Sequence, residues 1–439
     1  MSAVPALENM PGPTLPSVAQ SVLSAFMPVR FAQECRRRYG SVFRLRVFPV
    51  GDVVCVADPV LIKEVLTSDP EVFRASDANN LMDFVVGRSS LLTMDGTEHT
   101  RHRQLLLPPF RGTSVSRYRH IVAEATAEHV RRWPVGRPLR LHPLLQDITL
   151  EVMMRAVFGI TDAAKLAGLR TLVPRLLHLN PLLMLFPQLR KDFGKHSPWG
   201  RFVHVRSSID RILFAEIARR RAEPALADRD DVLSLLLAAK YEDGAELTDQ
   251  ELRDQLITLL MVGHETSATA MAWVFERLAR HPRVLERTVQ EVEDSGTRYV
   301  DALIHETLRV RPVVMDVARV PSRAVRIGGA TVPGGVMIAL SLALMHTSTE
   351  LYPDPASFDP ERFVGSRQTS FAFLPFGGGT HRCLGAHFAM MEMREIISSV
   401  LRSRRLRPLR GPAEGVLARG PMLVPARGAR VVLDQHVVN

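Results

Sequence analysis

The feature that most constrains this chain is one long apolar segment in its second half. Thr248 and Glu251 have the capping-box spacing of a helix start, in which each side chain satisfies an unpaired backbone N–H group, and Pro282 ends the segment. A helix of about 30 residues would span ~45 Å, which is enough to cross a whole domain. Residues 256–262 are apolar apart from one threonine, so the sequence predicts a mostly buried central helix.

The rest of the chain is typical of a folded enzyme. Its 439 residues are 46% apolar and 23% charged, which excludes a wholly disordered chain. Residues 42–57 read as a β-hairpin, residues 324–340 form a second β-rich part, and no repeat or linker divides the sequence. The clearest helical patterns cover residues 122–132, 148–157, 203–221 and 386–401. We therefore expect a single domain over residues 1–439, mainly α with a minor β layer, and a proline-rich arm at 1–30.

Charge and cysteine content narrow the possible partners and compartment. The formal charge is +10, but the arginine clusters at 36–38, 219–221 and 402–410 contain no interleaved aromatic residues, so we interpret them as solvated helix faces and expect no nucleic-acid binding. Three scattered cysteines indicate a reducing, cytoplasmic location. Prolines interrupt residues 1–29, and we expect no membrane anchor.

The middle of the long helix contains the polar sequence Val262-Gly263-His264-Glu265-Thr266-Ser267. A glycine costs about 1 kcal/mol in a helix, and a buried acid adds a desolvation cost, so helix stability alone does not favour this hexapeptide. The Thr266 hydroxyl could bond to the Val262 carbonyl one turn earlier and leave a groove. Two interpretations stay open, namely a catalytic pair or a polar cluster that only positions helices.

A second unusual segment is the loop from Phe376 to Gly385, with three successive glycines and Cys383 just before a helical pattern. Glycines indicate a sharp turn or a close approach, and a cysteine at a helix start has its pKa lowered toward the thiolate. The alternative is a buried, inert cysteine. A dinucleotide-binding GxGxxG loop is excluded because Arg382 occupies the position of the last glycine.

This loop resembles a known family. Phe376, Gly379, Cys383 and Gly385 match the FxxGxxxCxG pattern of the cytochrome P-450 haem-thiolate monooxygenases. Four further segments resemble motifs of the same family, namely Glu306 to Arg309 (ExxR), Asp359 to Phe363 (PERF), Gly263 to Ser267 (the oxygen-activating helix) and His99 with Arg103 (HxxxR). The order and spacing of these motifs match the family, and the chain resembles its soluble bacterial-type members. The resemblance implies the P-450 fold, with a long central oxygen-activating helix and small antiparallel sheets.

The resemblance also implies roles for individual residues around haem b. Cys383 would be the iron ligand, in the loop that contains Phe376 and Gly385. His99, Arg103 and His381, joined by Arg319, would hold the haem propionates. Glu306, Arg309 and Arg362 would form a structural brace for the loop. His102 and Arg382 match no motif, and we expect surface positions for both.

Glu265 and Thr266 match the acid and alcohol that deliver protons to bound dioxygen, which implies insertion of one oxygen atom by C–H hydroxylation or epoxidation. The family usually has Ala or Gly where this chain has Val262, so we expect a narrower space for substrate. The connection between Pro282 and Glu306 also looks shorter than usual.

The substrate pocket is predicted from apolar segments, with Leu259, Val262 and Val314 as its candidate residues. The segments are Leu81 to Leu92, Leu172 to Leu189, Leu259 to Val262, Val313 to Val317 and Met422 to Leu423. An apolar small molecule is the expected substrate. The chain has no flavin or NAD(P) fingerprint, so we expect a monomer that receives electrons from ferredoxin and ferredoxin reductase.

Two other functions remain compatible with these residues. A peroxide-driven peroxygenase would need no proton relay, and the presence of Glu265 and Thr266 disfavours it. A non-catalytic haem sensor or ligand-binding protein would not need the acid and the alcohol at all.

Overall fold

The computed structural model describes residues 7–160, 162–177, 183, 186–224, 226–365 and 371–435. The α-helices are α1 (Ser17–Phe26), α2 (Pro28–Tyr39), α3 (Pro59–Thr67), α4 (Ser76–Asn79), α5 (Asp83–Val86), α6 (Gly96–Leu106), α7 (Arg119–Val130), α8 (Leu141–Phe158), α9 (Ala163–Leu177), α10 (Pro198–Arg221), α11 (Val232–Ala238), α12 (Asp249–Arg280), α13 (Pro282–Glu293), α14 (Arg298–Val310), α15 (Leu342–His346) and α16 (Ala386–Ser403). The strands are β1 (Val42–Val47), β2 (Gly51–Val56), β3 (Phe73–Arg74), β4 (Pro138–Arg140), β5 (Asp316–Pro321), β6 (Val325–Ile327), β7 (Ala330–Val332), β8 (Met337–Ser341), β9 (Arg404–Leu406), β10 (Val416–Arg419), β11 (Met422–Pro425) and β12 (Arg430–Gln435).

The predicted long helix is α12, with 32 residues. Its N-terminus has the expected capping box, in which the Thr248 hydroxyl accepts from the Glu251 backbone N–H at 3.2 Å and the Glu251 carboxylate accepts from the Thr248 N–H at 2.7 Å. The helix ends at Arg280, and Pro282 begins the next helix, where its missing N–H costs nothing. Both predicted ends of the helix are therefore confirmed.

Helices surround α12 and bury most of its length. Helices α8, α10, α13, α14 and α16 and strands β11 and β12 all pack against it. The largest hydrophobic cluster draws residues from Val85 to Leu433 into one core around this helix. The four helical patterns of the sequence fall on α7, α8, α10 and α16. The mainly α fold class is confirmed, whereas the division into domains stays a prediction.

The β structure is a minor layer at one side. The main sheet has the order β1-β2-β8-β5-β3, and its first two strands form the predicted hairpin, with Val42 opposite Val56. The second β-rich part of the sequence contains three separate strands, β6, β7 and β8. Most pairs are antiparallel, as expected, but β2 and β8 run parallel, since β8 reaches the sheet after a long crossover.

The short connection expected after Pro282 is also present. Only residues 294–297 separate α13 from α14. The Glu291 side chain accepts a hydrogen bond from the backbone N–H of Tyr299 at 2.9 Å, which secures the start of α14. Within the described part of the chain, no helix combines the length and apolarity required to cross a bilayer.

The capping box leads to a stability prediction. Replacing Thr248 with alanine removes the acceptor for the Glu251 N–H, and the free energy of unfolding should fall by about 1 kcal/mol. Urea unfolding followed by circular dichroism measures this change. Ser208→Ala is the control, because that hydroxyl donates to the His204 carbonyl within α10 and caps no helix end. An equal loss in both variants would contradict the assignment of the cap.

Candidate active site

The loop before α16 brings Cys383 to a defined position through backbone contacts. The Cys383 N–H donates to the Phe376 carbonyl at 2.9 Å, which closes the loop. Gly379 has φ +68°, and a Cβ atom there would overlap the Leu66 carbonyl at the end of α3. Glycine at this position is therefore required both by the left-handed backbone and by the close approach of α3.

The environment of the Cys383 thiol differs from the sequence expectation. The residue presents surface to solvent, but the protein atoms packed around its sulfur desolvate it and raise the thiol pKa. The backbone N–H of Gly385 and the charges of Arg103 and Arg382 act in the opposite direction without outweighing burial. The helix start alone therefore does not produce a thiolate, and a bound cation at the sulfur would be needed to ionise it.

A cluster of positively charged and imidazole side chains forms next to this loop. His99 of α6 stacks on His381, with ring centroids 3.8 Å apart. Arg103 donates to the Arg382 carbonyl at 2.6 Å. Arg319 of β5 is buried and close enough for its charge to act on His99. Burial, followed by the nearby charges of His381, Arg103 and Arg319, lowers the pKa of His99 to about 3.

One carboxylate that no sequence motif marks joins this cluster. Asp95 Oδ1 lies 3.0 Å from His381 Nε2, and Asp95 also accepts from the backbone N–H groups of Ala75 and Ser76. Burial alone would raise the pKa of Asp95, but these interactions lower it to about 2. The available sequence signal is its position four residues before His99, one helical turn away.

The cluster is a suitable site for an anionic group. Desolvation lowers the pKa of both Arg103 and Arg319, which means that their charges are removed from water without full compensation by protein carboxylates. Asp95 supplies one negative charge against two guanidinium groups and two imidazoles. The cysteine with this donor set fits a haem group, which needs one sulfur ligand and partners for two carboxylates.

Behind the loop, Glu306 and Arg309 form a fully buried ion pair on α14. Arg309 contacts both carboxylate oxygens of Glu306 at 2.7 Å, and both side chains are completely inaccessible to solvent. Arg362 Nε lies 3.7 Å from Glu306, as the third member expected from the sequence. Arg309 further donates to three backbone carbonyls, those of His346, Pro355 and Ser357. All three predicted members therefore meet at one point.

His346 connects this ion pair to the cysteine loop, and sequence reasoning missed it. Its carbonyl accepts from Arg309, while its ring Nε2 accepts from the Leu374 backbone N–H at 3.0 Å. Burial, with the Arg309 charge, lowers the pKa of His346 to about 3, so the ring is a neutral acceptor. The Leu374 carbonyl in turn accepts from the Gly377 N–H inside the loop. No motif includes His346, so the sequence offered no signal for this link.

The middle of α12 has the side-chain hydrogen bond suggested by its sequence. The Thr266 hydroxyl donates to the Val262 carbonyl at 2.6 Å, as expected. A Cβ atom on Gly263 would lie 2.7 Å from the Met153 side chain of α8, so the glycine permits the close packing of the two helices. Val262 is 38% exposed on the face that carries Thr266.

Glu265 points to a different side of α12 from Thr266, as neighbours on a helix must. Its buried carboxylate accepts from the Gln146 side chain and lies 3.7 Å from both His142 and Arg419. His142 also bonds Thr269 at 3.0 Å, and burial lowers the His142 pKa. Gln146, His142 and Arg419 come from α8 and β10, so no local pattern in the sequence indicated them.

The three candidate pocket residues lie in different environments. Leu259 is buried in the main core, Val314 packs against that core, and Val262 is exposed. Val314 forms a β-bridge with Met422, which brings two of the predicted pocket segments together. The segment 81–92 also reaches α12, where Ser90 and Thr258 hydroxyls lie 2.7 Å apart. Part of the segment 172–189 lies outside the described residues.

Two expectations for neighbouring residues had different outcomes. Arg382 is exposed, as expected. His102 is not at the surface, because it is buried against Tyr241 and lies 3.6 Å from Glu251. Its place on the inner side of α6, one turn from His99 and Leu106, explains the difference.

Comparison with known proteins decides the family. The cytochrome P-450 family model matches residues 10–424. The chain belongs to the cytochrome P-450 family. A relative named cytochrome P-450 135B1, from Mycobacterium tuberculosis and Mycobacterium bovis, is 43% identical over 440 residues, covering 98% of this chain and 92% of the relative. Cytochrome P-450 138 of M. tuberculosis is 39% identical over 401 residues, covering 91% and 90%.

The fold agrees with that assignment. The solved structure of retinoic acid-bound cyanobacterial CYP120A1 has a TM-score of 0.83 and 24% identity, covering 99% of this chain and all of that one. This P-450 is accordingly a haem b enzyme and a monooxygenase. Members of the family act on a substrate with dioxygen and take electrons from redox partners.

A buried acid near the site predicts a pH effect on stability. Glu392 on α16 is fully buried, neither of its carboxylate oxygens has a hydrogen-bond partner among the described residues, and burial raises its pKa to about 8 against the weaker effect of Ser267. Between about pH 4.5 and 8 the folded protein therefore binds a proton that the unfolded chain releases, and this group's contribution to stability falls as pH rises.

Glu392→Gln should remove that contribution. The variant should gain stability relative to the parent as pH rises from 5 to 8, which urea unfolding at several pH values measures. Glu286→Gln, at an exposed position on α13, is the matched control and should show no such trend. A constant stability difference between Glu392→Gln and the parent across this range would contradict the raised pKa.

The buried ion pair predicts a large effect of a conservative change. Arg309→Lys keeps the charge but cannot reproduce the fork to Glu306 and the three carbonyl contacts, so stability should fall by about 3–5 kcal/mol. Urea unfolding and the haem content of the purified protein measure the loss. Arg394→Lys changes a similar two-bond pair with Asp301 that is about one-third exposed, and it should cost about 1 kcal/mol or less. Equal losses would contradict the special role of burial.

Proposed function

We propose that this P-450 inserts one atom of dioxygen into an apolar small molecule, by C–H hydroxylation or epoxidation, with electrons from ferredoxin and ferredoxin reductase. The observation that carries the proposal is the packing of α16, which follows the cysteine loop, against α12. The loop with Cys383 leads into α16, and α16 packs against α12, which bears Glu265 and Thr266 at its middle. The sulfur ligand thus directly precedes a helix that packs against the helix with the proton-transfer pair.

In this proposal Cys383 is the iron ligand. The loop geometry presents the sulfur with its own backbone N–H already bonded to Phe376, and the Gly385 N–H is directed at the sulfur, where it tunes the ligand. Haem bound through a thiolate supplies the activation of dioxygen and the cleavage of its O–O bond. The protein residues position the substrate, exclude water and move protons.

His99, Arg103, Arg319 and His381 are proposed to bind the two haem propionates. Their support is the excess of buried positive charge described above, which two carboxylates would neutralise. Asp95 orients His381 from the opposite side at 3.0 Å. Glu306, Arg309 and Arg362 are proposed as the structural brace of the cysteine loop and have no part in proton transfer.

Glu265 and Thr266 are proposed to deliver protons. Glu265 is buried, and one of its oxygens, Oε1, has no hydrogen-bond partner among the described residues, so it can accept or donate through a water molecule. Thr266 Oγ donates to the Val262 carbonyl and retains lone pairs that can accept a hydrogen bond on the groove side. Since the two side chains point apart, a bridging water is required between them.

Val262 is proposed to restrict the substrate. Its isopropyl group is exposed on the Thr266 face of α12, where the family usually has a smaller residue. Together with Leu259 and Val314 it gives the pocket an apolar lining, which favours an apolar substrate. A narrow space beside Thr266 selects slender molecules over bulky ones.

The redox partner is proposed from surface charge. Arg111 and Arg382 are exposed and close enough to Arg103 to lower its pKa by their charge. A basic surface beside the cysteine loop suits an acidic ferredoxin. We infer a cytoplasmic monomer, with the free thiols Cys35 and Cys55 in keeping with a reducing compartment.

The ligand assignment has a direct spectroscopic test. The reduced protein with carbon monoxide should show the strongly red-shifted Soret band of thiolate ligation, and Cys383→Ser should abolish it. Cys35→Ser, at a buried cysteine in α2, is the control and should retain the band. A red-shifted band that persists in Cys383→Ser would overturn the proposal.

The proton-transfer assignment has a kinetic test. A Glu265→Gln, Thr266→Ala double variant should lose about 100-fold in product formation with NADH, ferredoxin and reductase, because general acid catalysis contributes at least that much. Turnover with hydrogen peroxide should change far less. Thr248→Ala is the control, since it alters the same helix about 27 Å away.

The alternatives give different results in this assay. Full turnover of the double variant with reduced ferredoxin would contradict the mechanism. Turnover with peroxide in both the parent and the double variant, together with no turnover of the parent with NADH, ferredoxin and reductase, would identify a peroxygenase. Ligand-induced spectral shifts without product from any bound apolar compound would identify a sensor.

A further inference from the structure

A pocket of about 410 Å³ lies between α14 and the chain around Phe363 and Phe373. This volume is within the range of small-molecule sites in proteins. Arg298, Asp301 and His305 line the pocket from α14, where spacings of three and four residues place them on one helix face. None of the lining side chains is a candidate active-site residue, so the function proposed above leaves this pocket unexplained.

The charges at the pocket leave Arg298 without a partner. Asp301 is already paired, because Arg394 of α16 donates to both of its carboxylate oxygens at 2.8 Å. The exposed Arg298 guanidinium has no hydrogen-bond or ion-pair partner among the described residues. A Cβ atom on Gly365 would lie 2.3 Å from Arg298 Nη2, so the guanidinium lies against backbone that also lines the pocket. An anionic group of a ligand would supply the missing partner.

Aromatic rings form the other part of the lining. The rings of Phe363 and Phe373 lie 4.7 Å apart, and the His305 ring lies 5.6 Å from the first and 5.5 Å from the second. Rings at these separations make the offset and edge contacts that aromatic groups prefer. A planar aromatic ligand can join this group through contacts of the same kind.

His305 adds a polar group to the aromatic part of the pocket. Burial lowers the pKa of His305, so its ring is neutral at neutral pH and has one donor and one acceptor nitrogen. Neither nitrogen has a hydrogen-bond partner among the described residues, and neither is sealed from solvent. A ligand in the pocket can therefore bond to the ring directly or through a water molecule.

The pocket adjoins the network that supports the cysteine loop. Phe373 directly precedes Leu374, whose N–H donates to His346 Nε2 at 3.0 Å, and the Phe373 and His346 rings lie 5.2 Å apart. The Leu374 carbonyl accepts from the Gly377 N–H inside the loop. A ligand packed against Phe373 would therefore restrict the residue at which this link to the loop begins.

We propose that this pocket binds a small planar aromatic carboxylate, with the carboxylate on Arg298 and the ring against His305 and the two phenylalanine rings. Occupancy stabilises the cysteine loop through Phe373. The proposal does not depend on the oxygenation reaction proposed above, because it uses none of the residues assigned to that reaction.

Isothermal titration calorimetry of the haem-loaded protein with 2-naphthoate tests the site. Saturating 4-phenylimidazole is present to occupy the haem iron, so that naphthoate is not measured at the substrate side of the haem. The protein should bind one equivalent of 2-naphthoate under these conditions. The uncharged analogue 2-naphthylmethanol should bind at least about tenfold more weakly, because it has no carboxylate to pair with Arg298.

Arg298→Gln should weaken 2-naphthoate binding at least about tenfold, because the charge-assisted bond is lost. His305→Leu should weaken it at least about threefold, because a side chain without hydrogen-bonding groups replaces the neutral ring. Arg283→Gln is the matched control and should bind as the parent does, since Arg283 is an exposed arginine of α13 that does not line the pocket. An unchanged reduced carbon monoxide spectrum shows that each variant is folded.

The effect on the cysteine loop has its own measurement. Saturating 2-naphthoate should raise the temperature at which the reduced carbon monoxide complex loses its red-shifted Soret band, because the ligand binds only the folded pocket. The rise should occur in the parent and in Arg283→Gln, and it should be absent from Arg298→Gln at the same ligand concentration.

Three results would overturn the proposal. The first is no saturable binding of 2-naphthoate in the presence of 4-phenylimidazole. The second is equal affinity of the parent and Arg298→Gln for 2-naphthoate. The third is saturable binding that leaves the temperature of band loss unchanged, because the pocket would then have no link to the loop.

Discussion

The buried pair of Glu306 and Arg309 is the interaction on which the arrangement of the site most depends. Two opposite charges without solvent contact are stable only when every donor and acceptor is satisfied. Here Arg309 also binds three backbone carbonyls, and Glu306 accepts from the Asp359 N–H at 2.8 Å. The pair therefore gathers chain segments that the sequence separates by dozens of residues, and His346 extends this network to the loop that ends at Cys383.

The central helix α12 depends on tertiary contacts to stabilise polar residues at its middle. Most of the 32-residue helix α12 is buried, and its middle contains the polar residues Glu265 and Thr266. Gly263 allows close packing against Met153 there, and Thr266 bonds back to Val262. Glu265 is stabilised by partners on α8 and β10. The unfavourable local composition is thus compensated by tertiary contacts, which is characteristic of functional positions.

Electrostatics separates the molecule into distinct regions. Positive charge is concentrated beside the cysteine loop, where burial lowers the pKa of Arg103 and Arg319. Glu392, by contrast, is buried with no cationic partner among the described residues, and burial raises its pKa to about 8. The two regions would therefore respond differently to pH.

The sequence by itself determined the elements that depend on local physics. The capping box at Thr248, the hairpin at 42–57 and the glycine at 379 follow from short-range hydrogen bonding and backbone sterics, and all are present. Motif spacing was also sufficient to match Cys383 to the cysteine of a family loop, because a motif is a pattern of residues along the chain and can be found without the structure.

Only the tertiary structure decided which groups meet across the fold. Asp95 beside His381, His346 beside Leu374 and Gln146 beside Glu265 are contacts between segments that lie 28 to 286 residues apart. It also decided the pKa of the Cys383 thiol, which the helix start was expected to lower and which burial instead raises. Desolvation and long-range pairing depend on packing in three dimensions, and neither is encoded in any local pattern of residues.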